Sequence, residues 1–351
     1  MNAPPSSYAC PMPADTAGDR VTLAHGEGGR LTRRLVEELI LPILGNEHLA
    51  PLGDSAALPM LSGPLAFTTD SFVVSPLFFP GGDIGTLAVF GTVNDLAVAG
   101  ARPLWLSVAL IIEEGLPFAV LSKVLHSIAA AARRAQVRVV AGDTKVVPRG
   151  AADGLFITTS GIGELMSPIP PGPQSLEPGD ELIVSGPIGR HGVAILAARE
   201  SLGFDPPPVS DCGPLVSAVE ALRHSTIPVR SLRDATRGGV AGVLHEWAQA
   251  AGQTLTVSEA SLPVSSEVRG ACELLGLDPL HIACEGTMVI ATPRGTSNAV
   301  LRVLGDLPET QAAARIGEVR SRSMAAVTIR RILGNEQPLD DPPGAPLPRI
   351  C

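Results

Sequence analysis

The spacing of apolar residues predicts helices and strands that alternate through the first half of the chain. Apolar residues recurring every three to four positions indicate helices, and short apolar runs bounded by glycine, proline or acidic residues indicate strands. This pattern predicts, in order, a helix with Leu31, Leu35, Leu39 and Ile40 on its apolar face, strands at 56–60 and 65–69, a helix over 83–99, a strand over 104–111, a helix over 117–135, and strands over 137–140 and 154–162.

The alternation restarts after residues 166–179, which are rich in proline and glycine and are typical of a linker. The predicted elements there are strands at 181–185, 254–257, 285–291, 313–319 and 326–329, a helix that begins near 189, and helices over 215–223 and 240–251. We therefore predict an α/β (α+β) fold with domains at 21–165 and 180–333. Residues 1–20 are predicted to be disordered, and residues 334–351 to form a flexible tail.

Composition narrows the possible classes of function. Hydrophobic residues make up 45% of the 351 residues and aromatic residues only 3%, so the cores must consist mainly of Ala, Val, Leu and Ile. The net charge of −9 argues against nucleic acid or an anionic membrane as a partner. The most apolar stretch, 96–112, is interrupted by Arg102 and Pro103, and no signal peptide is visible.

The cysteines indicate a reduced protein rather than one held together by disulfides or zinc. They stand at positions 10, 212, 272, 284 and 351, which is an odd number, and no two are spaced as CxxC. A disulfide framework and a structural zinc site of the usual spacing are therefore excluded. We expect a cytoplasmic protein.

Four aspartates in the first half stand at or near the ends of apolar runs: Asp54, Asp70, Asp95 and Asp143. Carboxylates that converge in this way suit Mg²⁺, which binds through a few carboxylates together with nucleotide phosphates. Aspartate also caps helices and makes turns, and this alternative stays open for each position. Asp95 lies inside an apolar helical pattern, where an unpaired carboxylate is costly, so a metal or nucleotide site is favoured there.

Two kinds of segment suit phosphate binding. Asp143-Thr144-Lys145 places an ammonium group next to a carboxylate at the end of a predicted strand, although an exposed ion pair has the same pattern. Gly26–Gly29 and Arg237-Gly238-Gly239 precede predicted helices, where backbone N–H groups can meet phosphates. Neither matches a known phosphate-loop pattern, and a glycine pair before a helix is also an ordinary turn.

The chain ends in a proline-rich segment whose last residue is Cys351. Prolines at 342, 343, 346 and 348 resist helix and sheet, so residues 341–351 are predicted to be an extended spacer. At about 3.1 Å per residue the spacer would reach roughly 30 Å, enough for a thiol to visit an active site and then a partner. A frayed terminus that ends in cysteine by chance is the alternative.

Several motifs, in the expected order, resemble those of the aminoimidazole-ribonucleotide-synthetase-like ATP-binding superfamily. They are Gly53-Asp-Ser-Ala-Ala57, Thr68-Thr-Asp-Ser71, Val93-Asn-Asp-Leu96, Gly142-Asp-Thr-Lys145 and Asp234-Ala-Thr-Arg-Gly-Gly239. Within it, Pro348-Arg-Ile-Cys351 and His281-Ile-Ala-Cys-Glu-Gly286 resemble the carbamoyl dehydratase family of hydrogenase maturation. The resemblance runs from about residue 20 to the end of the chain.

The resemblance implies an AIR-synthetase-like fold in which N-terminal domains pair into a homodimer and ATP binds in a cleft with Mg²⁺. It implies ATP-dependent dehydration of a carbamoyl group on the terminal cysteine to a thiocyanate, which supplies the cyanide ligands of NiFe-hydrogenase iron. It also implies two partners, the carbamoyltransferase HypF and the iron-carrying HypC–HypD complex.

On the matching motifs, the resemblance implies Cys351, Glu285 and Lys145 as catalytic residues. Those implied for nucleotide binding are Asp54, Asp70, Asp83, Asn94, Asp95, Asp143, Thr144, Arg237, Gly238 and Gly239. Asp54, Asp70 and Asp95 are the implied ligands of Mg²⁺.

Other functions remain open from the sequence. A selenophosphate synthetase would need a reactive residue followed by a lysine near the N-terminus, and Cys10 has no lysine nearby. A thiamine-phosphate kinase would have no use for the terminal cysteine. A non-catalytic assembly scaffold would show no ATP turnover that depends on Cys351.

Overall fold

The computed structural model describes residues 18–341, Gly344 and Leu347–Cys351, which form two domains that share a broad interface. The helices are α1 (Arg30–Leu35), α2 (Leu41–Leu44), α3 (Ile84–Val98), α4 (Phe118–Arg134), α5 (Arg190–Arg199), α6 (Val216–His224), α7 (Gly239–Ala251), α8 (Ser266–Leu275) and α9 (Ser297–Gly305). A π-helical turn, Val36–Ile40, joins α1 to α2.

The strands form two main sheets and one short hairpin. They are β1 (Leu65–Phe72), β2 (Phe78–Phe79), β3 (Gly82–Asp83), β4 (Ala101–Glu113), β5 (Arg138–Val147), β6 (Leu155–Leu165), β7 (Glu181–Val184), β8 (Ser231–Asp234), β9 (Thr254–Ser258), β10 (Met288–Thr292), β11 (Ala314–Arg320), β12 (Val327–Arg330) and β13 (Glu336–Pro338). The predicted two-domain α/β fold is confirmed.

The sheet of the first domain has the order β1-β6-β4-β5, with β4 and β5 parallel and the other pairs antiparallel. Asp70 of β1 lies opposite Thr159 of β6, and the Thr159 hydroxyl donates to the backbone oxygen of Ala88 in α3. Because cross-strand partners share a face, Asp70 is directed towards α3.

Helix α3 is buried on nearly all sides because it lies between the two domains. Ile84 and Leu87 pack in the core of the first domain, whereas Ala97 and Val98 pack against residues of the second. A helix that is apolar all round belongs inside a protein. Side chains on its later turns therefore lie at the domain interface.

The sheet of the second domain has the order β13-β12-β9-β11-β7-β10-β8, and only β9 and β12 are parallel. Helix α7 packs against one face, and α6 and α9 pack against the other. The loops that leave β8 and precede β10 reach the first domain near α3.

Several predictions of secondary structure are wrong. Residues 56–60 form no strand, because they are largely exposed and pair with no other segment. Strand β5 continues to Val147, so Asp143 lies within a strand rather than at its end. Strand β10 begins at Met288, which leaves Glu285 in the preceding loop.

The prediction that residues 1–20 are disordered is wrong for Asp19 and Arg20. Asp19 accepts a backbone hydrogen bond from Phe118, and Arg20 binds the backbone oxygen of Gly115. Residues 1–17, and residues 342, 343, 345 and 346 of the predicted proline spacer, lie outside the described residues. Within the described part of the chain, no helix is long and apolar enough to cross a membrane.

Candidate active site

A small cavity of about 50 Å³ lies where the two domains and the end of the chain meet. The first domain contributes side chains from the end of β1 and from α3, and the second contributes the loops after β8 and before β10. The lining residues are Asp70, Ser71, Phe72, Gly91, Asp95, Asp234, Thr236, Arg237, Glu285 and Cys351.

Asp70 and Asp95 form an acidic pair on the first domain's side of the cavity. The Thr68 hydroxyl donates to Asp95 Oδ2 at 2.8 Å. Burial, with the neighbouring Asp95 carboxylate, raises the pKa of Asp70 to about 6. Two carboxylates so close together repel each other, and this repulsion favours binding of a proton or a cation.

Asp234 and Arg237 face this pair from the second domain. Asp234 ends β8 and is buried, and burial together with the Asp95 charge raises its pKa to about 7. The Arg237 guanidinium is the opposing charge, because it lowers the pKa of both Asp70 and Glu285. The cavity is therefore lined by more acidic than basic side chains.

Glu285 is the most deeply buried of these carboxylates, with 3% of its surface exposed. Burial, and then the nearby charge of Asp234, raises its pKa well above the ordinary value. Among the described residues, its Oε1 atom has no hydrogen-bond partner. A buried oxygen without a partner costs stability, so its retention points to a role in chemistry.

The loop that carries Glu285 is held by Asp211. The backbone N–H groups of Glu285 and Gly286 donate to the two Asp211 carboxylate oxygens, each at 3.1 Å, and the Thr287 hydroxyl donates to Oδ2 at the same distance. A Cβ at Gly286 would lie 1.9 Å from the Asp211 backbone oxygen, so only glycine fits there. This turn fixes where the Glu285 side chain begins.

Asn94 of α3 fastens the same region to the first domain. Its Nδ2 donates to the backbone oxygens of Gly213 and Glu285, at 3.0 and 3.4 Å, and its Oδ1 accepts from the Leu215 N–H. Both ends of the amide are occupied by protein. Asn94 therefore joins the two domains here, and its nucleotide contact stays a prediction from the resemblance.

The last residues of the chain are docked beside the cavity. Leu347 and Ile350 are buried, and Cys351 is partly exposed. The N–H groups of Val73 and Ser75 donate to the backbone oxygens of Cys351 and Arg349, a pairing that continues the course of β1 in antiparallel fashion. Cys351 thus lies beside the cavity, and its catalytic role stays a prediction from the resemblance.

The docked Cys351 thiol resists ionisation. Burial, and then the charges of Glu285 and Asp70, raises its pKa to about 12, although Arg237 opposes the shift. A thiolate is the nucleophilic form of cysteine. In this position Cys351 can present an attached group to the cavity but is poorly suited to attack.

A second and larger cavity, of about 280 Å³, lies between the helical segment 30–44 and the edge of the first sheet. Asp54, Asp143 and Thr144, three of the residues implied for nucleotide binding, are among its lining residues. The structure therefore separates these three residues from Asp70, Asp95 and Arg237, which line the smaller cavity. The remaining walls of the larger cavity are mostly apolar side chains, such as Leu44 and Val139. Apolar walls suit a base or sugar better than a phosphate.

Lys145 is not brought into the cavity of Cys351. Its Nζ lies 2.8 Å from Asp143, and both side chains are about 60% exposed (61% and 62%). It lies opposite Ile111 of β4. Within the described residues, its catalytic role stays a prediction from the resemblance.

Three other predicted residues have structural contacts. Asp83 caps α3, because Oδ1 accepts from the N–H groups of Gly85 and Thr86 and Oδ2 accepts from the Ser127 hydroxyl. Gly238 is left-handed at the start of α7, and a Cβ on Gly239 would lie 2.5 Å from the Leu280 backbone oxygen. These glycines permit close packing of α7, whatever else they bind.

The carboxylates fit part of the implied magnesium site. Asp70 and Asp95 offer the hard oxygen ligands that Mg²⁺ prefers, and a cation would relieve the repulsion between them. Asp54 lines the other cavity, so it does not join them. The described residues contain no cluster of three or more acidic, His or Cys side chains arranged around a metal position.

Sequence reasoning missed four residues around the site: His191, Arg199, Asp211 and Asp234. Three of them act on residues more than 70 positions away, so no local spacing marks them. Asp234 begins the motif that ends at Gly239, and its place in that motif was the available signal.

Both domains match a known enzyme family. The N-terminal domain of AIR synthase related proteins matches residues 53–165, and the C-terminal domain matches residues 177–330. The chain therefore belongs to the AIR synthase related family.

The similarity extends to one branch of that family. Carbamoyl dehydratase HypE of Escherichia coli (strain K12) is 48% identical over 95% of this chain and 100% of its own. A solved structure of the hydrogenase maturation protein HypE in complex with ATP has 44% identity and a TM-score of 0.88, covering 94% of this chain and 99% of the other. A HypE–HypF complex has 44% identity and a TM-score of 0.76, covering 88% and 99%. These relatives place the chain in the HypE family, as its motifs predict.

Proposed function

We propose that this protein is an ATP-dependent carbamoyl dehydratase that acts on a carbamoyl group carried by its own Cys351. The product is a thiocyanate that supplies the cyanide ligands of NiFe-hydrogenase iron. One observation carries the proposal: the C-terminal cysteine lies in a cavity between domains with Glu285, which has an unpartnered carboxylate oxygen. The docked residues also argue against a tail that frays by chance.

The reaction converts –S–C(=O)–NH₂ and ATP into –S–C≡N, ADP and phosphate. The carbamoyl oxygen attacks the γ-phosphorus, and phosphoryl transfer turns a poor leaving group into a good one. The nitrogen loses two protons, and the C–O bond breaks as the C≡N bond forms. The oxygen departs as phosphate, so no oxidant or reductant is needed.

Glu285 is the proposed acceptor for a proton from the carbamoyl nitrogen. Its free Oε1 provides a place for that proton, and its raised pKa makes the ionised form a stronger base. Arg237 favours the ionised form. Lys145 is the resemblance-based candidate for the second proton transfer.

Loading of Cys351 is proposed to occur with the tail undocked. The docked thiol has a pKa of about 12, and attack on a carbamoyl donor requires the thiolate. An exposed terminal cysteine would have a pKa closer to the ordinary value. The solved HypE–HypF complex supports HypF as the protein that loads it.

ATP is the proposed co-substrate, in keeping with the solved ATP complex of HypE. We assign Asp54, Asp143 and Thr144 to its binding through the larger cavity, and Asp70 and Asp95 to the acidic cavity. Mg²⁺ bound by Asp70 and Asp95 would neutralise phosphate charge.

A homodimer is proposed through the outer face of the first sheet. Phe67 and Leu65 are 68% and 58% exposed there, and Ile111 is 38% exposed. Large apolar side chains on one sheet face favour a second copy as the cover, because a sheet normally buries such a face. The HypC–HypD complex as acceptor of cyanide, and a cytoplasmic location, belong to the same proposal.

Mass spectrometry of the C-terminal peptide tests the reaction directly. The full chain is carbamoylated, incubated with or without Mg-ATP, and digested. We expect the Cys351 peptide to lose one water mass only with ATP, with one ADP formed for each modified chain. The Cys351→Ala chain, which should still bind ATP, is the control and should show no loading.

Two outcomes would contradict the proposal. A carbamoylated peptide that never changes would leave a carrier or scaffold, and ATP turnover that persists in Cys351→Ala would favour a kinase-like activity. The relatives' names and the ATP complex support the dehydratase over the selenophosphate synthetase and thiamine-phosphate kinase alternatives.

A further inference from the structure

The backbone oxygens of the last four residues all accept hydrogen bonds from the rest of the protein. Val73 N–H binds the oxygen of Cys351, and Ser75 N–H binds that of Arg349. The oxygens of Pro348, Arg349 and Ile350 accept from side chains of α5. The main chain of the tail is thus held at every residue from 348 to 351.

Arg199, at the end of α5, spans two segments. Its Nη1 and Nη2 donate to the oxygens of Pro348 and Arg349 at 2.7 and 2.6 Å, and its Nε donates to the Ser75 oxygen at 2.9 Å. The planar guanidinium therefore joins the tail to the segment that pairs with it. A lysine has no such fixed fork of donors.

His191, near the start of α5, binds the next carbonyl. Its Nε2 lies 2.6 Å from the Ile350 oxygen, and its Nδ1 lies 2.8 Å from the Ser210 hydroxyl. Because a carbonyl can only accept, Nε2 carries the proton, and a neutral ring then accepts from Ser210. The ring also packs edge-on against Phe79, with centroids 5.5 Å apart.

We propose that Arg199 and His191 are positioning residues that latch the tail by its backbone and so present the group on Cys351 to Glu285. They contact carbonyl oxygens adjacent to the cysteine rather than the reacting atoms. Arg349 is left-handed, with φ of 55°, so the docked shape is one that an unbound tail rarely adopts. The hydrogen bonds from Arg199 and His191 stabilise this docked conformation of the tail.

The latch is tested by the reactivity of Cys351 in the full chain, without ATP or partner. A thiol reagent is added, and the C-terminal peptide is followed by mass spectrometry. We expect Arg199→Ala to raise the labelling rate roughly tenfold, because charge-assisted hydrogen bonds to the tail are lost. Arg302→Ala, an exposed arginine on α9, is the matched control and should label at the parent rate.

His191 provides a second comparison. His191→Gln can keep a donor near Nε2, whereas His191→Leu cannot, so labelling should rise more in the leucine variant. If both buried substitutions prevent folding, Arg199→Ala decides the question alone. Labelling of folded Arg199→Ala at the parent rate would overturn the latch.

The consequence for catalysis rests on the proposed function and is measured separately. In a single turnover of a preloaded chain, Arg199→Ala should slow dehydration while loading stays as fast or faster. Equal losses in loading and dehydration would overturn the positioning role. Faster labelling in a protein whose parent never dehydrates would overturn the proposed function and leave the latch standing.

Discussion

Asp83 and Glu285 are both buried carboxylates at a helix or loop close to the domain interface, yet their surroundings differ. Both oxygens of Asp83 accept hydrogen bonds, from two backbone N–H groups and one hydroxyl. Glu285 keeps one oxygen without a partner among the described residues and faces other carboxylates.

The difference distinguishes a carboxylate with a structural role from one that can take part in a reaction. Hydrogen bonds that satisfy a carboxylate fix its charge and position, which suits a cap. A carboxylate left partly unsatisfied retains the capacity to accept a proton or a ligand. The same contrast holds one position apart on α3, where Asn94 is fully bonded and Asp95 shares the cavity with Asp70.

Removing the charge of Glu285 should have the largest effect. In Glu285→Gln we expect normal loading of Cys351 but dehydration slowed by about 10²- to 10⁴-fold, the usual contribution of a general base. Single-turnover mass spectrometry of the preloaded chain measures it. Glu246→Gln, on the exposed side of α7, is the control, and dehydration at the parent rate in Glu285→Gln would remove Glu285 from the mechanism.

Asp234→Asn should stabilise the protein, and more at pH 8 than at pH 5. The pKa of Asp234 is about 7 in the folded protein, raised from 3.8. Below pH 4 the side chain is therefore protonated in both the folded and the unfolded chain, and its burial costs no stability through charge. As the pH rises from about 4 through 7, the unfolded chain releases the Asp234 proton more readily than the folded site does, so the folded state loses stability. Removing the charge should recover on the order of 3 kcal/mol at pH 8.

Urea unfolding at the two pH values measures this difference. Asp306→Asn, exposed at the end of α9, is the matched control and should change little at either pH. An equal gain for Asp234→Asn at pH 5 and pH 8, or a loss of stability, would contradict the charge argument.

Asp83→Ala should have the smallest effect, and a purely structural one. Loss of the cap should lower the free energy of unfolding by about 1–2 kcal/mol. Asp83→Asn, which keeps an oxygen for the helix N–H groups, should lose less. Thermal unfolding measures both, and a fall in ATP affinity without a fall in stability would support the nucleotide contact instead.

The sequence predicted most of the main elements because their apolar residues follow clear periods, but it missed helices α8 and α9 of the second domain. Helices α3 and α4 lie within one residue of their predicted ends. The short strands β8 and β13 were missed, because they have few residues in which a period can develop. Residues 56–60 show the opposite error, a strand that was predicted but does not form, because no other strand pairs with this apolar run.

The site was predictable only where residues lie in recognisable motifs. Cys351, Glu285, Asp70, Asp95 and Arg237 do meet in one cavity. His191, Arg199 and Asp211 were missed because their partners are distant in sequence and are mostly backbone groups. A hydrogen bond to a backbone group does not depend on the residue type of the partner. Such contacts therefore cannot be predicted from the sequence and are seen only in the folded structure.

Helix α3 is shared between the cores of the two domains. Its first turns belong to one core, and its last turns, with Ala97 and Val98, belong to another. If either domain melted, the other would be left with an apolar helix surface in water, at a cost that grows with the exposed area. The two halves should therefore unfold together in a single transition, whatever the length of the linker between them.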